Sequence, residues 1–244
     1  MRKSSYLFLL ALILMAASFS ACDLTALAGV SGSGPVVPKE YNLSGFEAVE
    51  VSHAFDVVIE QGDRFQVTVK THENLVQYLD VKVEGDTLHV GFKGLHSLNN
   101  TDGEVYVRMP RLRAVGLSGA CDAELRGDWK SESFSVDLSG ASELKGQLDA
   151  GEAKLECSGA SSLILTGTAN RTAIDGSGAS KFHLENFTTG DLHIELSGAS
   201  HATVTINGRL DADLSGASSL HYGGNPTLGS TDTSGASSMK RISK

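Results

Sequence analysis

The sequence predicts an all-β protein built as a two-sheet solenoid, with an N-terminal β segment packed on it or continuing into it. Three observations predict it. The triplet Ser-Gly-Ala recurs at Ser118, Ser139, Ser158, Ser177, Ser197, Ser215 and Ser234, with spacings of 21, 19, 19, 20, 18 and 19 residues. Self-similarity at such a period marks a repeat architecture. On both sides of each triplet apolar and polar residues alternate at period two, the pattern of strands with one buried face. Composition agrees: 27 Gly against 4 Pro, with 6% aromatic residues, suits tight turns between short strands.

The elements follow in chain order. Residues 1–21 read as a lipoprotein signal peptide, with Arg2 and Lys3 ahead of the apolar run Tyr6–Ala17 and small residues before Cys22. The run is too short to span a bilayer comfortably. "SFSAC" resembles a bacterial lipobox, with Phe19 in the place usually held by Leu, so Cys22 is the expected lipidation site and a membrane the expected first partner. Acyl chains at Cys22 would hold the chain firmly, at about 0.8 kcal/mol per buried methylene. Residues 22–39, with "GVSGSGPVVPKE", read as a flexible tether. Residues 40–113 form a β segment by alternation, as in "FDVVIEQG", "FQVTVKT" and "EVYVRMP". "ENLVQYL" is its one short helical candidate, with Asn74 placed to cap it. This segment is expected to cover one end of the solenoid, residues 114–244, and the basic tail "MKRISK" to blunt the other.

Aligning the copies on the triplet Ser gives columns. Three before it stand Val115, Val136, Leu155, Ile174, Ile194, Ala212 and Thr231, and five after it Ala123, Leu144, Leu163, Phe182, Ala202, Leu220 and Met239. Each coil therefore reads as strand, corner, strand and a looser polar turn such as "TGTANRT". At the corner, Gly119, Gly140, Gly159, Gly178, Gly198, Gly216 and Gly235 can take a positive φ. Ala is expected where the two sheets converge and nothing larger fits, and Ser to satisfy backbone groups that the bend exposes.

The repeated "LSGAS" corners, preceded by Phe55–Lys93, resemble the auto-transporter adhesin head GIN domain family of bacterial lipoproteins and secreted proteins, from about Phe46 to the C-terminus. The resemblance implies a right-handed parallel β-helix of the pectin-lyase-like kind and adhesion as the proposed role. It also implies a cell-envelope location, at the outer membrane or cell surface. Asp23 after Cys22 resembles instead an inner-membrane retention signal of enteric bacteria.

A net charge of −9 argues against nucleic acid as a partner. Cys121 and Cys157 lie about two coils apart, beyond disulfide reach, and read as a Ser substitute and a buried small residue. His183 and His221 share an outward column but are separated by Thr203, and His193 and His201 sit in others, so the histidines do not read as a metal site. One column is less ordinary: two residues before the corner Ser stand Gly116, Asp137, Glu156, Asp175, Glu195, Asp213 and Asp232. Stacked carboxylates repel, so Asp137, Glu156, Asp175, Glu195 and Asp213 form either a solubilising face or a cation-binding surface, for which calcium is the suited ion. No other cofactor is implied and no catalytic residue is assigned. The expected function is a non-catalytic envelope lipoprotein whose rigid head serves adhesion or binds a glycan or protein ligand. The alternative is a β-helix enzyme acting on polysaccharide, which would need an acid–base cluster across adjacent coils.

Overall fold

A computed structural model describes residues 29–94, 98–101 and 103–242. Its strands are β1 (Val30–Ser31), β2 (Val36–Tyr41), β3 (Ala48–His53), β4 (Asp56–Gln61), β5 (Gln66–His72), β6 (Leu79–Glu84), β7 (Thr87–Phe92), β8 (Leu98–Asn99) and β9 (Glu104–Met109). The repeat then supplies β10 (Ala114–Gly119), β11 (Asp122–Arg126), β12 (Trp129–Leu138), β13 (Glu143–Cys157), β14 (Ser162–Gly176) and β15 (Lys181–Leu196). It closes with β16 (His201–Ile206), β17 (Arg209–Leu214), β18 (Ser219–Gly224), β19 (Thr227–Thr233) and β20 (Ser238–Arg241).

Like residues sit above like in parallel register, so the chain is an all-β solenoid. The first sheet runs β3, β10, β12, β13, β14, β15, β17, β19, and the second β4, β11, β13, β14, β15, β16, β18, β20. The stack starts inside the N-terminal segment: β3 and β4 form a coil in register with β10 and β11, turned at Ser52-His53-Ala54. The segment thus continues into the solenoid. The chain on either side of that coil closes its lower end: from the segment before β10, β7 and β9 run parallel to β3 and β4 with β6 and β5 antiparallel beyond them, and β2, which precedes the coil, lies antiparallel on β5.

Two local expectations are corrected here. Residues 30–39, read as the outer part of a tether, are tied down: β1 pairs with β8, and β2 lines the edge of β5, where Pro38 is tolerated because an edge strand has one unpaired side. The short helix is a 3-10 turn, Glu73–Tyr78, without a side-chain cap. Asn74 instead accepts the Ser33 N–H at 2.8 Å and donates to the Ser31 carbonyl at 2.9 Å.

The corner chemistry is also redistributed. The seven corner glycines have φ between 68° and 92°. Each triplet Ala is exposed at the outer tip, and the Ser after it is the buried residue, as at Ser142, Ser161, Ser180, Ser200 and Ser218. Ser161 donates through Oγ to the Ser158 carbonyl at 2.8 Å, bracing the turn from inside. Cys121 occupies the same position, its thiol 3.5 Å from the Ser118 carbonyl. Ala N–H groups bond to the Gly carbonyl of the coil below at 2.7 Å, from Ala141 on Gly119 to Ala236 on Gly216. A larger inward residue could fill the convergence only by displacing the Ser that binds the turn.

Opposite the corner, the expected looser turn is a bend through which the ladder continues in β13, β14 and β15, burying Leu148, Ala169 and Phe187. Inside the coil large and small residues compensate: a Cβ on Gly176 would lie 2.7 Å from Phe182 of its own coil and from Leu196 of the next.

Candidate functional site

Register brings the acidic column into one transverse row on the outer face of the first sheet. From the N-terminal end it reads Lys82, His89, Glu50, Gly116, Asp137, Glu156, Asp175, Glu195, Asp213, Asp232. Glu156 is paired with Lys154 at 2.8 Å and Glu195 with His193 at 3.1 Å. Among the described residues Asp137, Asp175, Asp213 and Asp232 form no ion pair. Neighbouring exposed carboxylates one strand apart repel by only about 1 kcal/mol in water, so the fold tolerates the row. No group of three or more His, Cys, Asp or Glu among the described residues is arranged to hold a metal ion.

The row opens into a groove at Gly116, where the side chain is missing. Hairpin β6–β7 and rungs β3, β10 and β12 enclose about 430 Å³ there. Glu50, Asp80, Glu84 and Asp137 supply carboxylates, Lys82 and His89 basic groups, and Ser52, Ser118 and Ser139 line the corner side. Lys82 lies 2.7 Å from Glu84 and 3.7 Å from Asp80, which raise its pKa in that order, while Lys82 holds Glu84 below the usual carboxylate range. His89 Nδ1 is 3.0 Å from Glu50. Such a groove offers hydrogen-bond acceptors and negative charge to a polar or cationic group.

His53, next to the groove residue Ser52, has φ 86°, where the later coils carry Gly. It fits because no corner lies beneath it. Its ring meets Phe92 edge-on at 5.4 Å and its Nδ1 is 2.9 Å from Ser52 Oγ. The substitution also hid Glu50, which stands two residues before Ser52 just as Asp137 stands before Ser139. Searching for Ser-x-Ala would have found both. Lys82 and His89 carried no such signal, because only strand pairing brings the hairpin to the row.

On the same sheet a trough of about 530 Å³ passes over Ala173, between Glu152, Asp191 and Asp211 and the basic Lys154, Arg171, His193 and Arg209. Asp211 is held down at about 2 by Arg209 and by the Ser230 N–H. On the second sheet His201 bonds Ser219 at 2.6 Å and meets the His221 ring at 4.9 Å; burial first, then His221 and His183, lower its pKa. Cys121 and Cys157 are free and buried, and burial pushes Cys157 up to about 12, a thiol unsuited to nucleophilic work. Cys22 lies outside the described residues, and no described helix is long and apolar enough to cross a membrane.

The family model described as "Putative auto-transporter adhesin, head GIN domain" matches residues 45–226. The chain belongs to that family. Solved structures similar to this head GIN domain protein include a "putative adhesin" from Bacteroides fragilis, at 19% identity and a TM-score of 0.82, covering 88% of this chain and 100% of that one. A "putative adhesin" from Parabacteroides merdae shares 16% identity with a TM-score of 0.71, covering 87% and 98%. A "putative lipid binding protein" from Parabacteroides distasonis shares 16% identity with a TM-score of 0.66, covering 87% and 99%. At these identities the likeness is one of fold. No curated protein matches the chain.

Proposed function

We propose that this protein is a non-catalytic, lipid-anchored envelope protein whose solenoid head is displayed for adhesion, with a glycan or protein as ligand. The observation that carries the reading is the exposed row from Lys82 to Asp232 with its groove at Gly116. A fixed ladder of side chains on stacked rungs is a preorganised contact surface, and preorganisation limits the entropy lost on binding. The leader and Cys22 supply the anchor in this reading, and family membership supplies the adhesive role.

Protease shaving of intact cells producing the full chain tests it, with Cys22→Ala as a second arm. Digestion of the head on intact cells is expected, together with loss of membrane retention in the variant. Full protection of the head would overturn surface display, and unchanged retention of Cys22→Ala would overturn lipidation. Release of uronides from polysaccharide above background would overturn the non-catalytic assignment.

A further inference from the structure

The outer face of the second sheet changes character at its N-terminal end. Across the repeat, its central row is Glu124, Lys145, Ile164, His183, Thr203, His221 and Lys240. Continued the other way, it becomes Val58, Tyr106, Thr68 and Glu40. Tyr106 is the only Phe, Tyr or Trp on the outward rows of this sheet among the described residues, and it is half-buried. A groove of about 400 Å³ lies over it, within the range of small-ligand sites.

Polar groups surround that floor. Glu40, Asp56 and Glu104 are acceptors, and Lys70, 2.7 Å from Glu104, is a donor. The Tyr106 hydroxyl donates to Glu60 at 2.7 Å, and Glu60 also accepts from Arg108 at 2.6 Å, so the ring is held by its far end and its phenol stays protonated. Thr68, which also lines the groove, has a buried Oγ1 without a hydrogen-bond partner. An unsatisfied buried hydroxyl is unfavourable, and a turn about the Thr68 χ1 that brings Oγ1 to the groove surface lets a ligand oxygen supply the missing hydrogen bond.

We propose that this groove binds a neutral saccharide ring, stacked on Tyr106 and hydrogen-bonded to Thr68, Glu104 and Lys70. The chemistry selects that class. A sugar ring has an apolar C–H face for the aromatic surface and rim hydroxyls that both donate and accept, which the mixed rim requires. A wholly apolar ligand would strip water from the charged rim without replacing its hydrogen bonds. The assignment rests on the glycan reading above and gives it a separate groove, and its failure is distinguishable from failure of surface display, which protease shaving reads.

Saturation-transfer NMR on the full chain, in a detergent without sugar headgroups, tests it. The probes are glucose, galactose, mannose, N-acetylglucosamine, lactose, maltose and cellobiose, with glucosamine as a cationic comparator. At least one neutral sugar should bind, and Tyr106→Ala should weaken it by about tenfold or more, the scale of one lost packing contact. Tyr106→Phe keeps the ring and should stay within about threefold, whereas Thr68→Val should weaken binding about three- to tenfold. Circular dichroism melting checks each variant, and if Tyr106→Ala fails to fold, Thr68→Val and Glu104→Gln carry the test. Binding of no neutral sugar, binding of glucosamine alone, or affinity unchanged in Tyr106→Ala and Thr68→Val would each overturn the proposal.

Discussion

The two ends of each coil solve the same problem, reversing the chain, in opposite ways. At the Ser-Gly-Ala-Ser corner the backbone repeats from coil to coil, with the same 2.7 Å bond from Ala to the Gly below. At the opposite bend the sequence varies and the length changes. Ile164 to Gly167 spans three residues where His183 to Phe187 spans four, which is the one-residue difference between the 19-residue coil from Ser158 and the 20-residue coil from Ser177. The next coil pairs Leu184 with Val204 and Thr188 with Thr205, omitting three residues, and regains one between Ile206 and Leu210, giving 18. Register is held at the corner and released away from it. A solenoid can therefore vary its coil length without shifting its outward rows, provided that the corner is kept.

The largest effect is expected at the corner glycine. A Cβ on Gly178 would lie 2.5 Å from the Gly159 carbonyl oxygen, and φ is 73°, so Gly178→Val is penalised by both backbone strain and stacking. The loss should be about 3 kcal/mol or more. That corresponds to roughly 10 °C in a chain of this size. Asn170→Ala in the exposed bend should change stability by less than about 0.5 kcal/mol. Equal melting curves for these two variants would break the comparison.

A smaller effect tests the inner brace. Ser161→Ala removes the hydrogen bond to the Ser158 carbonyl and should cost about 1 kcal/mol in thermal unfolding. Ser161→Cys should lose less, because Cys121 already serves at that position.

The repeat and its corners were legible because Ser-Gly-Ala is a local signal: Gly answers a backbone angle, and the columns on either side follow from period two. What was hidden is what depends on stacking. Nothing in "SGAS" distinguishes the exposed Ala160 from the buried Ser161, since both are small and only the turn's direction separates them. The first coil was masked by His53, a residue that takes the corner angle only where no coil lies below. The acidic residues could be aligned from sequence alone. Their groove could not, because His89 reaches the row through the parallel pairing of β7 with β3, and Lys82 through its antiparallel pairing with β7, which no local pattern announces.

The subtlest expectation concerns pH, and it probes the outward rows that the corners keep aligned. His201 titrates below its ordinary value of 6.5 in the folded protein because it is partly buried beside His221 and His183. The unfolded chain takes up the proton first, so this contribution is present above about 6.5 and is lost as pH falls through the depressed folded pKa. Melting temperature should decline from pH 7 to pH 5, and His201→Gln should flatten the decline. An identical decline in the variant would assign it to other groups.

Paired single-residue insertions test the division of labour most directly. One Gly is inserted between Thr166 and Gly167, at the bend where natural coils already differ by a residue, and in a second protein between Ala179 and Ser180, inside the corner. Thermal unfolding of both, read against the parent, is the measurement. The bend insertion should melt within a few degrees of the parent, while the corner insertion loses the cooperative transition or melts far lower. Comparable destabilisation by the two insertions would contradict the claim that the corner alone holds the register.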